Sequence, residues 1–365
     1  MNHDDPGEVI KRLASERGWS QSDLAYMLDV TPATINQIVK GKRQITAEMA
    51  KLFAVAFECP AEEFVELQGR WNLRAAPDPA PIVRERVLAQ GRFPLREMAK
   101  RGWINELRKG ESPHGDVCRF FGVNSLSDVP RLPHAAKKTE TPQAEGSQLA
   151  WFYRVRAIAK EMPVPAYSRA LLQKAVDQMR LLREAPEEIR KVPRLLHEAG
   201  VRFVVVEGLP GGRIDGVCMW LDGGSPVIGM SLRFDRVDNF WFVLLHECAH
   251  VIHGHGKAAA IIDSEIGLGV QDVNEEERVA NAEAAEFCVP QEKMQSFFLR
   301  KNPFFSEADV QAFAKINRVH PGLVVGQLQH MAAKFGFLRQ YLVSVRKFVT
   351  STAMVDGWGN VVPVG

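Results

Sequence analysis

The chain has 365 residues, with 46 Lys and Arg against 44 Asp and Glu, and five scattered cysteines. That length accommodates two or three domains, the net charge of +2 excludes bulk polyanion affinity, and the odd, unpatterned cysteines exclude a disulfide framework. The opening Met1–Gly7 is polar and acidic rather than a signal peptide, and no apolar run reaches membrane-spanning length, so a cytoplasmic protein without a membrane partner is expected.

Residues 1–69 read as a compact all-helical domain. Helical periodicity runs through Ile10 and Leu13, Leu24 and Leu28, Ile35 and Ile38, then Met49, Leu52 and Phe53. Ser20 is a predicted N-cap, and Thr31 a second one followed by Pro32 at the first helical position. Two short helices, Gln21–Leu28 and Pro32–Lys40, are joined by a tight turn in the helix-turn-helix pattern, with the second as recognition helix. The candidate DNA-contacting residues are Gln21, Thr31, Thr34, Asn36, Gln37, Lys40, Lys42 and Arg43. Asn and Gln suit adenine edges, whereas Lys40, Lys42 and Arg43 suit phosphates. Acids outnumber bases in this domain, so non-specific DNA affinity is expected to be weak. A helical protein-interaction module is the rival reading. The stretch resembles the Cro/repressor helix-turn-helix family, with a lambda-repressor-like fold. Pro6-Gly7-Glu8, Leu24-Ala25, the run Asn36 to Arg43, Ile45-Thr46-Ala47 and the closing Leu67-Gln68 are most similar to its HigA-type antitoxin branch. That likeness implies a double-stranded DNA operator, a homodimer on paired half-sites and a cognate toxin as a further partner.

Residues 70–147 read as a helical connector. Pro77–Pro81 is a linker, 82–130 looks helical with an aromatic break at Phe120–Val123, and 131–147 reads as a loop or second linker. From 148 to 365 the pattern is helix, helix, then strands at Val201–Val206, Arg213–Leu221 and Pro226–Leu232. Asp238 is the expected cap of a buried helix carrying the apolar run Phe240–Leu245. From Glu275 to about Val349 the chain reads as helical again.

The apolar run leads into His246-Glu247-Cys248-Ala249-His250, a His-Glu-x-x-His motif. Residues four apart share a helix face, so His246 and His250 can hold one metal while Glu247 stands beside a metal-bound water. A third ligand is needed. The spacing that would supply a third histidine fails, because residue 253 is His and residue 256 is Gly. A downstream carboxylate remains. Glu277 shares a face with Ala280, Asn281 and Ala284, small residues that allow close approach, but Asn274 to Glu277 is also a capping box. Spacing alone leaves Glu275, Glu276 and Glu283 open.

The C-terminal part resembles the ImmA/IrrE metallopeptidases. The matching residues are Ile228 to Arg233, Asp238 through His250, Glu277-x-x-Ala280-Asn281, Phe287 with Val289-Pro290, and His320 to Gln329. The resemblance implies an α+β zincin-like domain, Glu277 as third ligand, zinc as cofactor with manganese as the alternative, and a helix-turn-helix repressor as protein substrate. Cys248 stands where the family has Leu or Ile and is expected to pack as a small hydrophobe. Glu247 is the expected base, His320 a candidate oxyanion donor (with His330 the second choice), and Ile228–Ser231 a candidate edge for an extended substrate. The sequence therefore reads as a multidomain regulator: a helix-turn-helix, a connector and a zinc endopeptidase. The alternative is an antitoxin or repressor whose metal domain is a non-catalytic sensor.

Overall fold

The computed structural model describes residues 5–130, 142–257, 260–264, 275–357 and 360–362. It divides into two compact units, Met1–Ala80 and Pro81–Gly365.

The first unit is all-helical: α1 (Pro6–Glu16), α2 (Gln21–Met27), α3 (Pro32–Val39), α4 (Ala47–Phe57) and α5 (Ala61–Ala75). Local chemistry sets the starts. Ser20 and Asp23 form a reciprocal capping box on α2, and Thr31 accepts from the N–H of Thr34 with Pro32 opening α3. Thr46 caps α4 through the N–H of Met49. The helices bury Ile10, Leu24, Ile35, Ile38, Phe53 and Phe64 in one core. Each such side chain contributes roughly 1.5–3 kcal/mol through burial. Gln68 accepts the N–H of Ile45 at 3.0 Å inside that core, and α5 continues past residue 69 to Ala75.

The second unit is α+β. Its elements are α6 (Pro81–Arg92), α7 (Leu95–Lys100), α8 (His114–Phe121), α9 (Pro142–Glu161), α10 (Arg169–Arg180), α11 (Val192–Glu198), β1 (Arg202–Val206), β2 (Ile214–Leu221), β3 (Ser225–Met230), α12 (Val237–His253), β4 (Ile261–Ser264), α13 (Glu275–Cys288), α14 (Gln291–Lys301), α15 (Glu307–Asn317), α16 (Pro321–Met331), α17 (Arg346–Val349), β5 (Met354–Gly357) and β6 (Asn360–Val362). The strands form a mixed sheet in the order β4-β2-β3-β1-β5-β6. β1 runs parallel to β3 and β5, and β2 antiparallel to β3 and β4.

Alternate residues of each strand enter different cores. Phe203, Val205, Cys218 and Ile228 pack with α10–α16, while Val204, Val206, Val217 and Val227 pack with α6–α9. Both faces are covered, which explains strands that are apolar throughout. It also changes the role of the expected connector. Phe93, Leu95, Met98 and Phe121 share a core with Trp151 and Val204, because α6 and α8 pack on α9, the helix that lies against β1, β2 and β3. Arg101 adds hydrogen bonds to the carbonyls of Glu207 at 2.6 Å and Gly208 at 3.0 Å.

Other expectations change too. Residues 101–113 are irregular rather than helical. Of the expected linker 131–147, residues 131–141 lie outside the described ones, and from Pro142 the chain is already α9. Asp238 does not cap α12. It sits inside the first turn, where Arg236 donates to its carboxylate from Nε at 3.0 Å and Nη2 at 2.5 Å. β3 is not an edge, since β1 and β2 flank it. β4, absent from the sequence reading, ends the strand order instead, and β5 and β6 were likewise not expected.

Candidate metal centre and helix-turn-helix surface

The run Phe240–Leu245 is apolar enough for α12 to be buried along nearly its whole length, and it carries His246 and His250 inward at full burial. Ala280 and Ala284 are fully buried on α13, and their short side chains let α13 lie against α12. One turn earlier, α13 presents Glu277. The three side chains converge: His246 Nε2 lies 3.0 Å from His250 Nε2 and 3.3 Å from Glu277 Oε2, and His250 Nε2 lies 3.4 Å from Glu277 Oε1. The edges of a tetrahedral site with zinc bonds of about 2.0–2.1 Å are about 3.3 Å long. Two nitrogens and one carboxylate at that spacing fit zinc. Burial, with His246 close by, pulls His250 down to about 3, so its ring stays neutral and keeps a lone pair for a metal. Glu277 keeps 20% side-chain exposure while both imidazoles have none, so solvent reaches the group from the α13 side.

The competing carboxylates are elsewhere. Glu275 pairs with Arg278 at 2.5 Å, Glu276 is exposed, and Glu283 bonds His253 Nε2 at 2.7 Å. Among the described residues, His246, His250 and Glu277 form the one cluster able to hold a metal.

Glu247 is fully buried beside these ligands. Its carboxylate lies over Gly216 of β2, where a Cβ would come within 2.1 Å of Glu247 Oε1. A glycine inside a strand signals such a close approach, a cue the sequence reading passed over. Cys248 is fully buried, and burial pushes its thiol well above the ordinary range, so it packs as an apolar group. His255, just past the end of α12, brings its Nδ1 to 3.0 Å from His250 Nδ1.

His320 is not gathered into this cluster. It caps α16, where its Nδ1 accepts the N–H of Gly322 at 3.0 Å, and burial holds its ring below the ordinary histidine range. His330, near the end of α16, is exposed.

In the first unit, Gln21, Thr31, Gln37, Lys40, Lys42 and Arg43 are exposed, and Thr34 and Asn36 are half-buried. Ile35 and Ile38 turn inward, so α3 presents Gln37 and Lys40 outward. The Thr31 and Thr34 hydroxyls are 3.0 Å apart at the head of α3.

No helix among the described residues is long and apolar enough to cross a membrane. The Helix-turn-helix family model matches residues 10–64, and that of the IrrE N-terminal-like domain matches residues 198–307. The chain is 29% identical over 87 residues to the uncharacterized HTH-type transcriptional regulator YddM of Escherichia coli (strain K12), covering 24% of this chain and 93% of that protein. It is 38% identical over 69 residues to virulence-associated protein A' of Dichelobacter nodosus, covering 19% of this chain and 60% of that protein. The protein is therefore a fusion of a Cro/C1-type helix-turn-helix domain with an IrrE/ImmA-like domain of a peptidase family.

Proposed function

We propose that the protein is a DNA-binding transcriptional regulator with zinc-dependent endopeptidase activity, acting in the cytoplasm on a helix-turn-helix repressor. The observation that carries the reading is the convergence of His246, His250 and Glu277 with Glu247 buried beside them. His246, His250 and Glu277 would hold the ion. When bound, zinc would supply Lewis acidity to polarise the scissile carbonyl and acidify a water. Glu247 takes a proton from the attacking water and passes it to the leaving amine nitrogen, so the new C–O bond replaces the C–N bond with no net proton change. Gly216 leaves the space in which that carboxylate sits. An extended substrate adds at β4, the strand at the end of the order on the β2 side. α3 enters the major groove, with Asn36 and Gln37 on base edges, and Gln21, Lys40, Lys42 and Arg43 near the backbone. A homodimer matches paired half-sites, and a cognate toxin is the partner to seek beside the gene.

The test is Glu247→Gln in the full chain. Zinc should remain at one per chain while proteolysis of a purified helix-turn-helix repressor falls by about 10²–10⁴. Undiminished turnover would remove the proposed base. A parent that binds zinc and cleaves no repressor would favour the non-catalytic sensor.

A further inference from the structure

The turn that ends α12 brings another histidine against the metal ligands. Gly254 adopts φ 76°, a left-handed conformation that a Cβ disfavours, and so stops the helix. The chain folds back, and the N–H of His255 donates to the carbonyl of His250 at 2.9 Å. In such endings, the residue after the glycine lies over the last-turn residue whose carbonyl it caps, ordinarily through an apolar contact. Here that contact joins two imidazoles, Nδ1 to Nδ1, at 3.0 Å. His255 is held from the other side as well: its carbonyl accepts the indole N–H of Trp220 on β2 at 2.7 Å. The His253 ring stacks on it at 5.5 Å between centroids and is tied to Glu283 of α13. Both backbone partners and both ring neighbours fix where the His255 ring stands.

We infer that His255 is a positioning residue for the metal centre: its Nδ1 accepts the Nδ1–H of His250 and holds His250 in the tautomer whose Nε2 lone pair faces His246 and Glu277. The inference rests on the metallopeptidase reading above. A histidine that binds metal through Nε2 carries its proton on Nδ1, and an acceptor for that proton sets the ring's orientation and raises its basicity as a ligand. A carboxylate or a backbone carbonyl usually does this. In this chain the imidazole of His255 does it, and the helix ending delivers it there.

The test uses the purified full-length protein and zinc itself, with affinity read by competition against a chromogenic chelator. His255→Phe keeps the ring and removes the acceptor; His255→Asn returns an oxygen acceptor near the Nδ1 position. His255→Phe should weaken zinc binding about 10- to 100-fold, and His255→Asn should recover to within about threefold of the parent. Equal affinity in His255→Phe and the parent would overturn the inference, as would equal losses in both variants. A measurement free of substitution is ¹⁵N-edited NMR of the zinc-loaded parent. The His250 ring should show an Nδ1–H protected from solvent exchange, and a freely exchanging Nδ1–H would also overturn the inference. A parent that takes up no zinc would instead bring down the metallopeptidase reading, and this inference with it.

Discussion

Gly216→Ala is the substitution whose consequences the geometry sets out most fully. The new methyl would lie 2.1 Å from Glu247 Oε1, 2.9 Å from its Cδ and 3.0 Å from Val243 Cγ1. Ordinary carbon–oxygen contact is about 3.4 Å, so the carboxylate oxygen must retreat by about 1.3 Å. The obstructed atom is the far end of a flexible side chain, so the fold yields easily and loses only about 1–3 kcal/mol. The chemistry does not yield. A misplacement of about 1 Å costs about 10²-fold in rate, or roughly 2.7 kcal/mol in the barrier. Zinc should stay, because the methyl points at the base and not at His246, His250 or Glu277. The assay pairs zinc content with initial rates of repressor cleavage in the parent, Gly216→Ala, Glu247→Gln and the double variant. If the methyl acts through Glu247, adding it to Glu247→Gln changes nothing further. A Gly216→Ala rate close to the parent's, or zinc lost along with the rate, would refute the reasoning.

Glu277→Ala should strip zinc from the protein while Glu283→Ala leaves it bound, read by metal analysis after dialysis; the reverse pattern would move the ligand to Glu283. In DNA binding by the full chain, Asn36→Ala and Gln37→Ala should erode discrimination between operator and mismatched sites. Lys42→Ala should weaken all sites alike and reduce the salt slope by about one, and no duplex binding at low salt would leave α3 a protein-interaction surface. His320 is held below its ordinary value by burial, so below pH 6.5 the unfolded chain takes up a proton that the fold refuses. Its contribution to stability is present above that pH and drains away as pH falls, at up to about 1.4 kcal/mol per pH unit. His320→Asn keeps a capping acceptor without titrating and should flatten the loss between pH 7 and 5 in urea unfolding; an unchanged slope would show that His320 does not set it.

What could be read from the chain is what depends on neighbours in sequence. Ser20 and Thr31 cap α2 and α3 from within a few residues, and Ile35 and Ile38 mark the buried face of α3 by spacing alone. His246 and His250 meet because a helix puts residues four apart together. β1, β2 and β3 were legible as short apolar, partly β-branched runs between turns. The remainder depends on contacts between distant segments. Periodicity could not say that Phe93 and Phe121 join the core on one side of the sheet rather than sit on a separate connector, because it shows an apolar face but not its partner. β4, β5 and β6 are too short to declare themselves, and their pairing partners lie far off along the chain. Capping and ligation make the same demand for a carboxylate at the start of α13. Only the packing of Ala280 and Ala284 against α12 puts Glu277 at the imidazoles and leaves Glu283 to His253. The sequence alone determined that a helix-turn-helix and a paired-histidine helix exist. A family resemblance named Glu277 where spacing could not; tertiary structure showed Glu277 beside the imidazoles, that Gly216 makes room for Glu247, and that His255 stands behind His250, because each is a distance across elements that no local spacing encodes.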